Sequence, residues 1–340
     1  MNTDKNKGIL MRYADTFRPG TAHKHRWWVK LIKTVILAGF LYFVGTALAK
    51  QLSYIEWRFL DLDWRFLWLA MLAAILTRGC VGGFYKILLN LLGFPLFPYR
   101  TAMAVSCISF LGKYVPGKAA IVANVVYLLA RYQVRASLSG MVPILNNGMT
   151  VLIAFVLSLP VLFLPWSQEI IPFSRVWFAV LIIAAGIAIW PRIFLGVSDI
   201  LLRVIGRPPL NISLTLRQMI LPAILVMGQC LFSGIATWCI AKMISPSLTF
   251  SSVPMVISVT AMAGGLGIIA LFAPAGLGVI EGIYLIALSP LIGSELAALS
   301  AICLRLLQTI TDIFMAIAGI LILRGITVDS YIDKPDQTSV

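Results

Sequence analysis

Two lysines flank a proline–glycine break deep in apolar sequence: Lys113-Tyr114-Val115-Pro116-Gly117-Lys118. Apolar residues run into it from Thr101 to Gly112 and out of it from Ala119 to Ala130. Proline cannot continue a helical hydrogen-bond ladder, and glycine accepts the turn that follows. In hydrocarbon, loose backbone groups cost several kcal/mol each, so such a break persists only where protein or a wet cavity covers it. Two cations beside it add to that cost unless an anion meets them. A second break of the same kind follows later, at Phe272-Ala273-Pro274-Ala275-Gly276-Leu277-Gly278, with Glu281 just beyond it. Arg78, Arg305 and Asp312 are also set inside apolar runs.

Together these residues predict an anion site built from two halves. Lys113, Lys118, Arg78 and Arg305 would bind a phosphate. Tyr114, Pro116, Gly117, Pro274, Gly276 and Gly278 would shape the backbone around it. Helices restarting after Gly117 and Gly276 would turn free N–H groups and a positive dipole end toward the ligand. Glu281 would balance the charge or, like Asp312, carry a proton. Each residue has a plainer reading. Lys113 and Lys118 could snorkel to the interface, and Glu281 could cap its own helix start. Arg78 could pair with Glu281 or Asp312. Asp312 lies seven residues after Arg305, on the same helix face, and reads most simply as a salt-bridge partner of its neighbours. Asn146 and Asn147 read as interhelical hydrogen-bonding groups, and Gly79 with Gly83 as a close-packing GxxxG face.

The elements that must position these residues are membrane helices. Of 340 residues, 60% are hydrophobic and 12% charged, against about 25% charged in a soluble chain. The apolar runs are continuous and of helical length, which excludes the alternating segments of a barrel. The predicted fold is an all-α polytopic membrane protein. Full spans are expected at 27–49, 66–92, 140–164, 177–195, 220–241 and 296–323. The arms of the first break, Thr101–Gly112 and Ala119–Ala130, are too short to cross alone; Val253–Phe272 runs into the second break and Gly278–Leu291 out of it, and loop charges favour two re-entrant hairpins over two crossing helices. Span, span, hairpin, span then occurs twice, with the second half inverted relative to the first: the organisation of many secondary transporters. The domain plan is a basic cytoplasmic tail (1–26), one transmembrane domain (27–325, halves 27–165 and 176–325) and a polar cytoplasmic tail (326–340).

The net charge of +14 resides in the N-terminal tail and loops, as the positive-inside rule expects, and does not indicate nucleic acid. The cysteines Cys80, Cys107, Cys230, Cys239 and Cys303 lie in apolar runs without a CxxC pair, and His23 and His25 lie in the basic tail. No metal site, cofactor or disulfide framework is expected. There is no HExxH, Ser-His-Asp set, P-loop or paired-Asp motif, so neither an enzyme nor an ATP-driven pump is expected. Residues 1–26 show no cleavable signal pattern.

LGKYVPGK in mid-chain and APAGLGVIEG near the C-terminal end resemble the membrane domain of lysylphosphatidylglycerol synthases, over roughly residues 28–325. Ala119-Ala120 departs from a glycine expected soon after the first motif. The resemblance implies translocation of a lipid between leaflets. It also implies a standalone membrane domain without the soluble aminoacyl-transfer portion, so synthase activity does not carry over. The expected ligand is an anionic phospholipid or a polyprenyl-phosphate-type lipid, in a bacterial inner membrane with both termini cytoplasmic. A homodimer and a lipid-modifying enzyme are the candidate protein partners. The alternative function is an accessory membrane subunit that binds lipid and supports a separate glycosyltransferase or lipid synthase.

Overall fold

The computed structural model describes residues 62–94, 97–115, 119–163, 215–270 and 273–325, with isolated positions between 176 and 196. The span expected at 27–49, nearly all of the one at 177–195, both polar tails, and Pro116, Gly117 and Lys118 lie outside the described residues. Among the described residues the regular structure is helical, with no strand. In chain order the α-helices are α1 (Trp64–Leu91), α2 (Tyr99–Phe110), α3 (Ala119–Leu129), α4 (Ala136–Leu157), α5 (Leu216–Ile244), α6 (Val253–Ile269), α7 (Val279–Ile292) and α8 (Ser294–Arg324).

The helix boundaries follow local chemistry. The Asp63 carboxylate accepts the Arg65 N–H at 3.1 Å and opens α1. Gln218 accepts the Thr215 N–H at 2.8 Å and opens α5 in a capping box. Helix α8, at 31 residues, rises about 46 Å, more than a 30 Å hydrocarbon core requires even when tilted.

Among the described residues six helical segments are long and apolar enough to cross a membrane, and the protein is a multi-pass membrane protein. Four of them (α1, α4, α5, α8) coincide with expected spans. The other two, Phe250–Ile269 and Pro274–Ile292, are the arms of the second break. They run to 20 and 19 residues, where the sequence set these arms at Val253–Phe272 and Gly278–Leu291. A 3-10 turn (Phe250–Ser252) leads into α6 and another (Pro274–Gly276) precedes α7, so each segment starts a few residues before the expected arm. The arms of the first break, α2 and α3, have 12 and 11 residues and rise only about 17–18 Å.

Apolar and polar faces are inverted relative to a soluble protein. On α8, Ile310 (60% exposed), Phe314 (59%) and Ile317 point outward, while Arg305, Thr311 and Asp312 are buried. Lipid solvates the first face, and the second must be satisfied within the protein. The core forms two apolar clusters. One gathers α1, α2, α3, α4 and the start of α5 around the first break; the other gathers the end of α5 with α6, α7 and α8 around the second.

Helices α1 and α5 pack antiparallel, the Asp63 N–H donating to Met243 O at 3.3 Å. Glycine sets two close approaches. A Cβ on Gly82 would lie 2.8 Å from Met103 Cα on α2, and one on Gly319 would lie 3.0 Å from Ala104 O. The GxxxG face expected from Gly79 and Gly83 is used more loosely: Gly79 meets the Tyr99 hydroxyl and Gly83 the Leu225 side chain, each at 3.3 Å.

Candidate functional site

The two breaks meet. The 3-10 turn Leu111–Tyr114 that ends the first arm touches the turn Pro274–Gly276 of the second. Each is shaped by an unusual backbone. Gly112 lies against the restarting helix, where a Cβ would sit 2.5 Å from Ile121 N. Ala275 adopts φ +51°, with Gly276 at +71° and Gly278 at +80° beside it. A left-handed alanine is sparsely populated backbone, held here by its surroundings.

Charged side chains converge on the junction in two nodes along α8. At the first, Asp312 is shared by two cations: Arg78 Nη2 lies 2.6 Å from Oδ1 and Lys113 Nζ 2.5 Å from Oδ2. The Tyr114 hydroxyl donates to Oδ2 at 3.0 Å and reaches Thr309 Oγ1 at 3.3 Å. The Phe110 ring lies under both cations, 3.6 Å from the Arg78 guanidinium carbon and 4.6 Å from Lys113 Nζ. At the second node, Arg305 Nε donates to Glu281 Oε1 at 2.7 Å, with Nη2 2.6 Å from the same oxygen. Arg305 Nη1 donates to the carbonyl of the left-handed Ala275 at 3.1 Å. The other Glu281 oxygen accepts the Gly278 N–H at 2.8 Å, closing the start of α7. Arg305 and Asp312 are two helical turns apart, about 10 Å along one face.

Beside both nodes is a cavity of about 200 Å³. Arg78, Lys113 and Arg305 line it, whereas their partners Asp312 and Glu281 are not among its described lining residues. The three cations and two carboxylates leave one formal positive charge. Among the described residues the rest of the wall is apolar or uncharged polar and includes Asn147, Gln229, Gln308 and Thr311. Buried cations facing an uncharged cavity suit an anionic group.

The model of the lysylphosphatidylglycerol synthase TM region matches residues 30–319. The chain belongs to this family. No curated protein matches the chain.

Within this lysylphosphatidylglycerol synthase TM-region chain, the structure brings together Lys113, Tyr114, Arg78, Arg305, Glu281 and Asp312 and sets Pro274, Gly276 and Gly278 beside them. Each of these cations is held by a carboxylate of the protein, Arg78 by Asp312 of the two partners the sequence offered. Arg78 and Lys113 share Asp312, and Arg305 takes Glu281. Helix α7 does not offer an empty N-terminus, because its own Glu281 already accepts the Gly278 N–H. Asn146 is buried with no hydrogen-bond partner for its Oδ1 among the described residues, so the expected interhelical bond is not made there. Asn147 instead faces the cavity.

Sequence reasoning missed Phe110, Thr309, Ala275, Gln229 and Thr311. Phe110 and Thr309 each had a spacing signal: one lies three residues before Lys113, the other four after Arg305. Gln229 was visible as a lone amide in an apolar span. Ala275 carried no signal, since its role depends on a backbone conformation and a carbonyl.

Proposed function

We propose that this protein carries a lipid between leaflets, its cavity receiving the anionic headgroup while the tails remain in the bilayer. One observation carries the reading: among the described residues, three cations and no carboxylate line the cavity where the two breaks touch. The family match supports it. The volume supports a headgroup alone, because whole small ligands occupy roughly 300–1,000 Å³. A phospholipid or polyprenyl-phosphate-type lipid carries the required phosphate on a tail that stays in hydrocarbon. The protein is then a carrier and not an enzyme. Its opposed breaks are the re-entrant hairpins of an inverted repeat, and movement is alternating exposure of the cavity to the two faces.

The protein is placed in a bacterial inner membrane with both termini cytoplasmic. Arg131, Arg135, Arg217 and Arg324 are exposed at or beside helix ends, and the positive-inside rule puts such residues on the cytoplasmic face. In such a carrier Asp312 and Glu281 serve as counterions that the arriving phosphate partly replaces, and either is the group available to take up a proton.

The test is movement of a headgroup-labelled anionic phospholipid in proteoliposomes. Lys113→Met leaves Arg78 to pair with Asp312 and removes the excess charge. Movement should fall at least about tenfold, the scale of one charge-assisted hydrogen bond, with an unchanged melting transition in detergent. Unchanged movement would overturn the site. Lipid retained by the wild type without any movement would replace the carrier with a lipid-binding accessory subunit that supports a separate enzyme.

A further inference from the structure

Charge does not close at the first node. Arg78 and Lys113 share the single carboxylate of Asp312, at 2.6 and 2.5 Å. Two like charges held so close repel, and each is costly to hold in a largely buried site. Aromatic rings stand where a second anion would otherwise be needed. The Phe110 ring centre lies 3.6 Å from the Arg78 guanidinium carbon and 4.6 Å from Lys113 Nζ, and the Tyr114 ring centre lies 5.0 Å from Lys113 Nζ. All three distances fall within the roughly 6 Å over which a negative ring face attracts a cation. The placement has a local cause. Phe110 ends α2 and leads into the 3-10 turn Leu111–Tyr114, where residues three apart eclipse, so Lys113 stands over Phe110. Phe110 lines the cavity together with both cations.

We infer that Phe110 is a positioning residue, whose ring holds Arg78 and Lys113 side by side at the cavity as an uncharged substitute for a second carboxylate. This rests on the reading that these cations receive a phosphate. A carboxylate at position 110 would neutralise the node and compete with the phosphate for the same N–H donors. A ring face attracts both cations through its quadrupole. It leaves their N–H groups to Asp312 and to the ligand. An aliphatic side chain supplies neither charge nor quadrupole. Arg78 and Lys113 would then move apart, and an arriving phosphate would have to bring them together again, which weakens binding by the cost of that reorganisation. The role is electrostatic, so it belongs to the charge distribution of the ring and not to its volume.

The experiment is titration of the full chain in detergent with phosphatidylglycerol carrying a fluorescent tail, used as an anionic phospholipid probe. Position 110 is replaced by pentafluorophenylalanine, which nearly keeps the shape of the ring and reverses the charge of its face, and separately by leucine and glutamate. Lys113→Met reports on the phosphate site itself. The fluorinated ring and Phe110→Leu should each weaken binding by about tenfold, the scale of a partly desolvated cation–ring contact. Phe110→Glu, which supplies the second carboxylate, should weaken it at least as much, and Lys113→Met should lose the lipid. Undiminished binding with the fluorinated ring, while Lys113→Met loses the lipid, would overturn the role of Phe110 and leave the phosphate site standing. Binding by Phe110→Glu as tight as by wild type would overturn it in the same way. Equal binding by wild type and Lys113→Met would remove the phosphate site, and the role of Phe110 with it. Should the fully fluorinated chain fail to fold, singly and doubly fluorinated rings at position 110 carry the test. Affinity should then fall with each fluorine, and a flat series would overturn the inference.

Discussion

Asp312 is the residue on which the site turns. One carboxylate, 2% exposed, holds Arg78, Lys113 and the Tyr114 hydroxyl. Removing one member of a buried ion pair costs about 3–5 kcal/mol, because the remaining charge is left without a partner. Asp312→Asn should therefore lower the unfolding transition in detergent sharply. Adding Lys113→Met should recover part of the loss, since one of the two stranded cations is then gone. The measurement is a double-mutant cycle on melting in detergent. Costs that simply add would show that the two residues are not coupled in the folded protein. The Arg305–Glu281 pair is built differently, as Glu281 also closes α7 at Gly278. Glu281→Gln keeps an oxygen for that cap and should be milder than Glu281→Leu, which loses both contacts.

At the scale of the elements, the breaks depend on close approach and the cavity on an empty helix face. Gly112 packs against backbone, which cannot yield: its Cβ would lie 2.5 Å from Ile121 N and 2.6 Å from Ala120 C. Gly112→Ala should force the first hairpin apart and give little folded protein by size-exclusion chromatography. Gly264 is the contrast. It lines the cavity on α6, and a Cβ there meets nothing within 4 Å. Gly264→Leu should fold, helped by the helix propensity of leucine over glycine, worth up to about 1 kcal/mol. Its side chain should fill much of the cavity and reduce lipid movement several-fold. Normal movement with leucine in place would mean that the headgroup passes elsewhere. The sequence made the breaks legible as Pro-Gly punctuation in apolar runs. It set the segment after the second break to begin at Gly278, whereas the helical segment already begins at Pro274. The start of a helix in a charge-free segment carries no boundary signal.

For the molecule as a whole, the prediction is one of sidedness. The start of α1 is tied to the end of α5 by the Asp63–Met243 hydrogen bond. Ser247, just beyond α5, should therefore share a face with Asp63. Arg131 and Arg324 should lie on the other, by the charge rule. Single cysteines at these positions, on a background with the native cysteines replaced, should react with an impermeant thiol reagent from opposite sides of the membrane. Labelling of Ser247→Cys and Arg131→Cys from one side would break the proposed topology. The outward face of α8 gives a second check. Phe314→Lys should impair insertion by about 3 kcal/mol, the cost of a lysine at mid-helix, where a water-facing site would tolerate it.

The sequence by itself determined the membrane character and the helical class, and it marked both breaks and the ionisable residues set inside apolar runs. These follow from local properties: apolar run length, the missing proline N–H, and the cost of a charge in hydrocarbon. Only the tertiary structure decided the pairing. Arg78 could have met Glu281 or Asp312; it meets Asp312, because α1, the first break and α8 converge there. Only the structure set Arg78, Lys113 and Arg305 at the cavity wall, each held by a carboxylate that is not among the described lining residues. Spacing along one helix says which residues share a face. What stands opposite that face depends on the packing of segments distant in the chain, here residues 78, 113, 281, 305 and 312.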